Sequence, residues 1–249
     1  MAKLNSNIGK EKAARSYTAE DHATWAKLFA RQKKLVSKLA CKEYFEGMKK
    51  LALDPEHVPD INKTSVRLRK LSGWNLSNAK NKSLAMRDWF RKMYQKSFPV
   101  TDYIRKPEDF DYTRMPDLFH EYFGHLPYFT DKNFAAIAYQ FGVLCRHADK
   151  RQLLQISRIW SLGIEFGLIR ERGRIKFLGA GLLSSYGECL HAKKLIKRGK
   201  VTPFNLREVI TTPGKTYEYH PKYFILKNIR EVADVLRAYA QRESLPVAA

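Results

Sequence analysis

The sequence predicts a mainly helical α+β fold, a single compact helical domain with short β-hairpins. Apolar residues recur at helical spacing along most of the 249 residues, capping residues precede several of these segments, and the extended segments are short. A chain of this length buries a sizeable core as one unit. We therefore expect a basic N-terminal arm over residues 1–19, one folded domain over residues 20–243 and a C-terminal tail over residues 244–249.

The first predicted helix follows Thr18, which forms a capping-box pattern with Asp21 three residues later. Pro55 and Pro59 end the helical pattern that follows. The apolar residues at helical spacing in this first segment are Trp25, Leu28, Phe29, Leu35, Val36 and Leu39. Shorter helices are predicted over residues 60–71, 83–96, 116–123, 132–148 and 150–166.

Two extended segments and a final helix complete the predicted fold. The segment from Leu168 to Lys176 has Glu171-Arg172-Gly173 at its centre, which is typical of a β-hairpin. Residues 217–226 are predicted to be extended. The last helix is predicted to begin at Asn228, because Glu231 three residues later gives a second capping-box pattern.

The cysteines and the apolar segments bear on where the protein resides. Its three cysteines, Cys41, Cys145 and Cys189, are far apart and lack a Cys-x-x-Cys pattern, which is typical of free thiols in a reducing compartment. Residues 1–12 contain lysines without a following apolar stretch, so no signal peptide is predicted. The most apolar region, residues 134–145, is too short to span a bilayer. We expect a cytoplasmic monomer.

The charge balance is strongly basic. There are 46 lysines and arginines against 25 acidic residues, which gives a formal net charge of +21. Basic clusters at residues 31–34, 67–70 and 193–200 could attract nucleic acid or an anionic surface. No nucleic-acid-binding motif accompanies them, so the interpretation we favour is a set of solvated helix faces and a loop.

The segment from residue 116 to residue 127 carries the clearest chemical signal. His120 and His125 are followed forty residues later by Glu165, and two imidazoles with one carboxylate form a metal centre that keeps positions open for chemistry. On an unbroken α-helix, histidines five residues apart would point roughly 140° apart. We therefore predict that the helix ends between them, with Gly124 as the stop and Pro127 discouraging any continuation.

Other interpretations of this segment stay open when the residues are considered alone. A paired histidine can mark a helix end with surface histidines. The same ligands could also hold zinc in a metallohydrolase with Glu121 as the base, although the zinc-protease pattern has its histidines four apart.

The longer pattern resembles the catalytic domain of the pterin-dependent aromatic amino acid hydroxylases. The resemblance covers roughly residues 20–240, and both intervals between the candidate ligands match that family. The segments that carry it are residues 101–105, 116–142, 164–168 and 179–188, with a weaker match at 220–224. It implies a non-haem iron monooxygenase that hydroxylates the ring of an aromatic amino acid with dioxygen and a tetrahydropterin. Phenylalanine is the default substrate, and tryptophan, tyrosine or another aromatic substrate is the alternative.

The resemblance also assigns roles to individual residues. It implies that Fe(II) is held by His120, His125 and Glu165. The residues implied in substrate binding are Arg105, which pairs with the substrate carboxylate, Asp117, which orients Arg105, and the hydroxyl residues Thr113 and Ser184. The residues implied in binding tetrahydrobiopterin or a related reduced pterin are Leu84, Trp89 and Glu121. From the residues alone, Arg105 could equally be a solvated surface charge, and Trp89 could be plain core.

The sequence departs from the family pattern in and around the ring pocket. Met115 stands where an acidic residue is usual, Trp160 replaces a tyrosine close to iron and pterin, and Ser161 replaces a tryptophan that lines the substrate pocket. Residues 214–216 lack an expected tyrosine. These departures leave a further hypothesis open, a non-catalytic basic binding protein on a hydroxylase scaffold.

Overall fold

The computed structural model describes residues 16–80, 84–113, 115–214 and 218–247, and in these ranges the predicted mainly helical class is confirmed. The α-helices are α1 (Ala19–Val36), α2 (Lys42–Leu51), α3 (Ile61–Ser72), α4 (Met86–Tyr94), α5 (Leu126–Phe129), α6 (Lys132–His147), α7 (Lys150–Trp160), α8 (Ala180–Ser184), α9 (Tyr186–Lys197), α10 (Leu206–Thr211) and α11 (Arg230–Arg242). A short 3₁₀ turn spans Pro107–Asp109, and two π-helical segments span His120–His125 and Ser161–Glu165.

In the described residues the strands form two small sheets. The strands are β1 (Asn75–Lys80), β2 (Ser97–Thr101), β3 (Leu168–Glu171), β4 (Arg174–Phe177), β5 (Val201–Pro203) and β6 (Tyr223–Leu226). β1 and β2 pair in parallel, and the second sheet has the order β4-β3-β6-β5. β3 and β4 form the predicted hairpin, whereas β6 pairs in parallel with both of its neighbours.

Several predicted boundaries hold and others need correction. The capping box at Thr18 and Asp21 is confirmed at the start of α1. The last helix begins at Arg230 rather than Asn228. Asn228 accepts a hydrogen bond from the backbone of Arg230 and Glu231 accepts one from the backbone of Lys227, but the residue that precedes the helix, Ile229, makes no side-chain cap, so the predicted capping box does not form. The predicted extended segment begins at residue 217, which lies outside the described residues, as does residue 83 and most of the predicted N-terminal arm.

The helix that carries both histidines runs through the core. Every residue from 121 to 130 is buried, and rings of α1 pack against its inner face. Trp25 contacts Phe119 with ring centroids 5.5 Å apart, Phe29 contacts Phe123 at 5.3 Å, and Phe119 stacks on Phe123 at 4.8 Å. Such ring pairs add to the free energy gained from burial, so the backbone around the histidines is held by its neighbours.

Gly142 brings α4 and α6 into close contact. A Cβ atom at this position would lie 2.3 Å from the backbone nitrogen of Tyr94. We expect Gly142→Ala to lower the free energy of unfolding by about 1 to 3 kcal/mol, because the two helices must separate to admit the methyl group. Urea denaturation measures this change. Ala136→Ser, which adds one atom on the exposed face of α6, is the control. Equal midpoints for the two variants would contradict the prediction.

The three cysteines form no disulfide bonds with one another. Cys41, Cys145 and Cys189 are free, as predicted, and all three are buried. None of the helices in the described ranges is long and apolar enough to cross a membrane.

Candidate metal centre

The first π-helical segment brings the two histidines together. Its wider turn bonds each residue to the fifth one before it, as in the bond from the Leu126 amide to the Glu121 carbonyl. Residues five apart therefore lie above one another, and the Nε2 atoms of His120 and His125 are 3.0 Å apart. The prediction that the helix ends between the histidines was wrong.

Gly124 and Pro127 have other roles than stopping a helix. A Cβ atom at Gly124 would lie 2.8 Å from the carbonyl oxygen of Ala180, so this glycine allows α8 to approach the histidine helix. Pro127 lies in the first turn after the change from π to α geometry, where a missing N–H is tolerated. The predicted helix over residues 116–123 is thus replaced by a continuous helical stretch over residues 118–129.

Glu165 comes from the second π-helical segment, at the end of α7. Its Oε1 lies 2.8 Å from His125 Nε2, and its Oε2 lies 3.6 Å from His120 Nε2. Glu121 is a second carboxylate at the site, since its oxygen and the nearest ring nitrogens of the two histidines all lie within 4.8 Å of one another. Two imidazoles and a carboxylate converge on one point, as a divalent transition metal requires.

Ser184 orients the ring of His120. The Ser184 hydroxyl donates to the carbonyl oxygen of Ala180 at 2.8 Å, so its oxygen accepts from His120 Nδ1, which is also 2.8 Å away. The proton of His120 is therefore on Nδ1, and the lone pair of Nε2 faces His125 and Glu165. Such a hydrogen bond fixes the tautomer that a metal ligand needs.

The protonation states also suit a metal. Burial lowers the pKa of His120 to about 4, so this imidazole is neutral near pH 7. Burial alone would raise the pKa of Glu165, but the charge and hydrogen bond of His125, followed by His120 and Trp160, lower that pKa to about 2. Burial raises the pKa of Glu121 well above its ordinary value, with Glu165 and Asp117 adding to the effect. Metal binding needs a neutral imidazole and an ionised carboxylate, and His120 and Glu165 supply one of each.

Arg105 and Asp117 form a buried ion pair beside the ligands. The Asp117 carboxylate accepts from Arg105 Nη2 at 2.6 Å, from Nε at 2.9 Å and from the backbone amide at 2.9 Å, and it also accepts from the amide of His120 at 3.0 Å. Burial alone would raise the pKa of Asp117, but Arg105 outweighs it and holds the pKa below its ordinary value. Because Arg105 is only 3% exposed, the interpretation as a solvated surface charge was wrong.

Two clefts meet at the candidate ligands, and Pro116, His120 and Glu165 line both of them. The first cleft has a volume of about 390 Å³ and is further lined by Leu84, Met86, Trp89, Phe90, Glu121, His125, Ser157 and Trp160. The second cleft has a volume of about 230 Å³ and is further lined by Tyr112, Thr113, Ser161, Phe166, Gly181, Ser185 and Glu188. The three residues predicted to contact a pterin therefore lie together in the first cleft.

Comparison with known proteins assigns the family. A family model described as biopterin-dependent aromatic amino acid hydroxylase matches residues 2–248. This chain belongs to that family. The phenylalanine-4-hydroxylase of Vibrio cholerae is 30% identical over 234 residues, which cover 93% of this chain and 80% of the relative.

Two solved hydroxylase structures have the same fold. The apo structure of the cold-active phenylalanine hydroxylase from Colwellia psychrerythraea has a TM-score of 0.84 at 30% identity and covers 97% of this chain and 95% of its own. The cobalt-bound phenylalanine hydroxylase from Chromobacterium violaceum has a TM-score of 0.83 at 30% identity, and the match covers 93% of this chain and 85% of the hydroxylase chain. The fold of this hydroxylase-family chain is therefore that of the catalytic domains it resembles.

Two further residues that were predicted to bind the substrate, Thr113 and Arg105, form hydrogen bonds with backbone carbonyl groups of this family member. The Thr113 hydroxyl donates to the Met115 carbonyl at 2.9 Å at the second cleft. Arg105 does not line either cleft, and its Nη1 makes a longer contact of 3.4 Å with the Ser184 carbonyl.

The sequence did not predict the hydrogen bonds that Trp160 and Glu188 form at the site. Trp160 donates its indole N–H to Glu165 Oε1 at 2.9 Å. Glu188, at the second cleft, accepts from the Tyr223 hydroxyl at 2.6 Å and from the His220 amide at 3.2 Å, and its Oε2 has no hydrogen-bond partner in the described ranges. The contacts of Glu188 give no signal in the sequence because they join residues far apart in the chain. Trp160 and Glu165 are only five residues apart, but they meet through the second π-helical segment, which was not predicted.

Proposed function

We propose that this protein is an iron- and tetrahydropterin-dependent monooxygenase that hydroxylates the ring of an aromatic amino acid, with phenylalanine as the default substrate. The observation that carries the proposal is the meeting of two clefts at two histidines and one carboxylate. One cleft is suited to the pterin and the other to the amino acid. The relatives named phenylalanine-4-hydroxylase support the choice of substrate.

The donor set fits ferrous iron. His120 and His125 would bind through Nε2 and Glu165 through its carboxylate, and such a set leaves coordination positions open. The cobalt bound by the Chromobacterium violaceum relative supports a divalent metal here. When bound, Fe(II) and the reduced pterin would supply the electrons that activate dioxygen next to the substrate ring.

The chain's own residues would hold the substrate in place. Asp117 engages Nε and Nη2 of Arg105, whereas Nη1 makes only the longer 3.4 Å contact with the Ser184 carbonyl, so Nη1 is the part of the guanidinium that we propose pairs with the substrate carboxylate. A charged planar group with a fixed partner is suited to this contact. Phe166 and Pro116 line the second cleft, and we propose that they pack against the ring and exclude water from it.

The first cleft would take the pterin. Trp89 offers a flat apolar face, Leu84 a wall, and Glu121 a carboxyl group for the polar edge of the pterin ring. Trp89 is partly buried and its ring lies 4.9 Å from that of Trp160, so the wall extends back to the ligands.

Mass spectrometry of reaction products tests the proposal. Fe(II)-loaded protein is incubated with tetrahydrobiopterin, air and an equimolar mixture of ring-13C-labelled phenylalanine, unlabelled tyrosine and unlabelled tryptophan. The label distinguishes hydroxylated phenylalanine from the tyrosine that was added. We expect a product one oxygen heavier than phenylalanine that forms only when the pterin is present. His120→Ala is the matched control, because it removes one proposed ligand. A product that forms without pterin, or equally with the control, would contradict the proposal.

A larger ring is the alternative substrate, because one wall of the second cleft consists of small residues. Ser161 and Gly181 line it, and a Cβ atom at Gly214 would meet the Ser161 hydroxyl only at 3.6 Å. We expect Ser161→Trp to lower tryptophan turnover relative to phenylalanine turnover by about tenfold or more, since small changes of fit in an apolar pocket are worth about 10- to 200-fold. Competition between the two amino acids measures the ratio. An unchanged ratio would contradict a role for Ser161 in ring selection.

The same protein preparation also tests the two other functional hypotheses, a zinc metallohydrolase and a non-catalytic basic binding protein. Peptidase activity that requires zinc would favour the metallohydrolase, and a protein that binds neither metal nor pterin would favour a basic binding protein. The solvated-surface interpretation of the +21 charge stays a prediction. Salt-dependent binding to unrelated DNA, with a steep loss of affinity as salt rises, would contradict it.

We further propose that residues 20–243 form the catalytic unit, that the protein is a monomer and that it works in the cytoplasm. The three buried free thiols support a reducing compartment. Light scattering measures the oligomeric state.

A further inference from the structure

Trp160 links the candidate metal ligands to the wall of the first cleft. It is the last residue of α7 and is 5% exposed. Its Nε1 lies 2.9 Å from Glu165 Oε1, and its ring stacks on His125 with the centroids 5.9 Å apart and the planes 26° apart. An indole N–H can only donate, so the direction of this hydrogen bond is certain.

The ring of Trp160 is fixed by its surroundings. Phe141 meets it edge-on with centroids 5.1 Å apart, Trp89 at 4.9 Å and Phe90 at 6.3 Å. Rings in these arrangements pack closely and leave little freedom for rotation. The N–H of Trp160 is therefore held in one direction, toward Glu165.

Metal binding changes which groups hold the Glu165 carboxylate. The Oε1 atom of Glu165 has two near nitrogen neighbours, Trp160 Nε1 at 2.9 Å and His125 Nε2 at 2.8 Å. A ligating imidazole uses the lone pair of Nε2, so His125 cannot donate from that atom when it binds a metal. The Trp160 N–H does not titrate and stays in place.

We propose that Trp160 is a positioning residue that holds the Glu165 carboxylate toward the two histidines and so preorganises the metal site. The inference rests on the proposed function, since it takes Glu165 and the histidines as the ligands. Groups that hydrogen-bond to metal ligands typically contribute about 10- to 100-fold to metal affinity. The N–H group of Trp160 would provide its contribution to metal affinity. The aromatic packing would be the same for any ring of the same shape.

A tryptophan analogue separates these two contributions. Benzothienylalanine, in which sulfur replaces the indole N–H, keeps the shape of Trp160 and removes the donor. Trp25 offers a matched control, because its buried Nε1 donates to the Asp54 carbonyl at the same distance of 2.9 Å and it lines neither cleft. Co(II) titration followed by visible absorption measures the affinity in both proteins. Trp160→Phe is a second variant for the same measurement.

We expect the analogue at position 160 to weaken Co(II) binding by about 10- to 100-fold and to change the visible Co(II) spectrum, with the analogue at position 25 leaving both as in the parent protein. Parent-like affinity with the analogue at position 160 would overturn the inference and leave the proposed function standing. Equal weakening at both positions would assign the effect to general stability and would also overturn it. A parent protein that binds no Co(II) would overturn the proposed metal site itself.

Discussion

Replacement of Glu165 by glutamine is expected to weaken Fe(II) binding by more than about 100-fold. Loss of a residue that only hydrogen-bonds to a metal ligand already lowers metal affinity by about 10- to 100-fold, and Glu165 is a proposed ligand itself. The amide has nearly the same shape but no charge. The carboxylate is ionised in the folded protein, with its pKa lowered to about 2, and it lies 2.8 Å and 3.6 Å from the two imidazoles. The iron that remains after gel filtration, measured together with a circular dichroism spectrum, distinguishes loss of metal from loss of fold.

Glu171→Gln is the control for this variant. Glu171 lies in the β3–β4 hairpin, where its side chain accepts from the exposed Lys42 amide, and it lines neither cleft. We expect it to bind iron like the parent protein. If Glu165→Gln also kept its iron, Glu165 would not be a ligand. Glu121, the other carboxylate beside the histidines, would then be the residue to replace.

Replacement of Arg105 by alanine is expected to have two effects with separate causes. It leaves the Asp117 carboxylate, which is 0% exposed, without its charged partner, and breaking a buried ion pair typically costs about 3 to 5 kcal/mol of unfolding free energy. It also removes the proposed contact with the substrate carboxylate. A charge-assisted hydrogen bond is worth about 1.5 to 3 kcal/mol, so KM for the amino acid should rise about 10- to 100-fold.

The double variant Arg105→Ala/Asp117→Asn separates the two effects. Asparagine at position 117 is neutral, so the double variant has no unpaired buried charge there. We therefore expect much of the lost unfolding free energy to return, whereas KM should stay high. Arg91→Ala, which breaks the exposed pair with Asp88, is the control and should change neither quantity appreciably. A double variant with parent-like KM would show that Arg105 does not bind the substrate carboxylate.

Local patterns were sufficient for most of the helices and for the hairpin. Thr18 caps α1 as predicted, because a capping box needs only residues within one turn. The hairpin turns at Arg172 and Gly173, where both residues have positive φ values of 47° and 77°. The three parallel strand pairs were not predicted, since helices intervene in the chain between β1 and β2, between β3 and β6, and between β5 and β6, and no local pattern specifies these pairings.

The sequence by itself determined the family, the helical class and the identity of the candidate ligands. The two histidines, the glutamate and their intervals can be recognised in the chain without coordinates. Glu165, Arg105 and Ser184 could be named from their match to a pattern, but their distances from the histidines could not.

Only the tertiary structure decided how these residues meet. The apolar pattern around His120 is compatible with an α-helix that ends or with a π-helical turn that continues, and the packing of α8 and α1 on the buried helix selects the second. The hydrogen bond from Trp160 to Glu165 likewise depends on a second π-helical turn. These features follow from contacts between segments far apart in the chain, whose free energies outweigh the small local preference for regular α-helix.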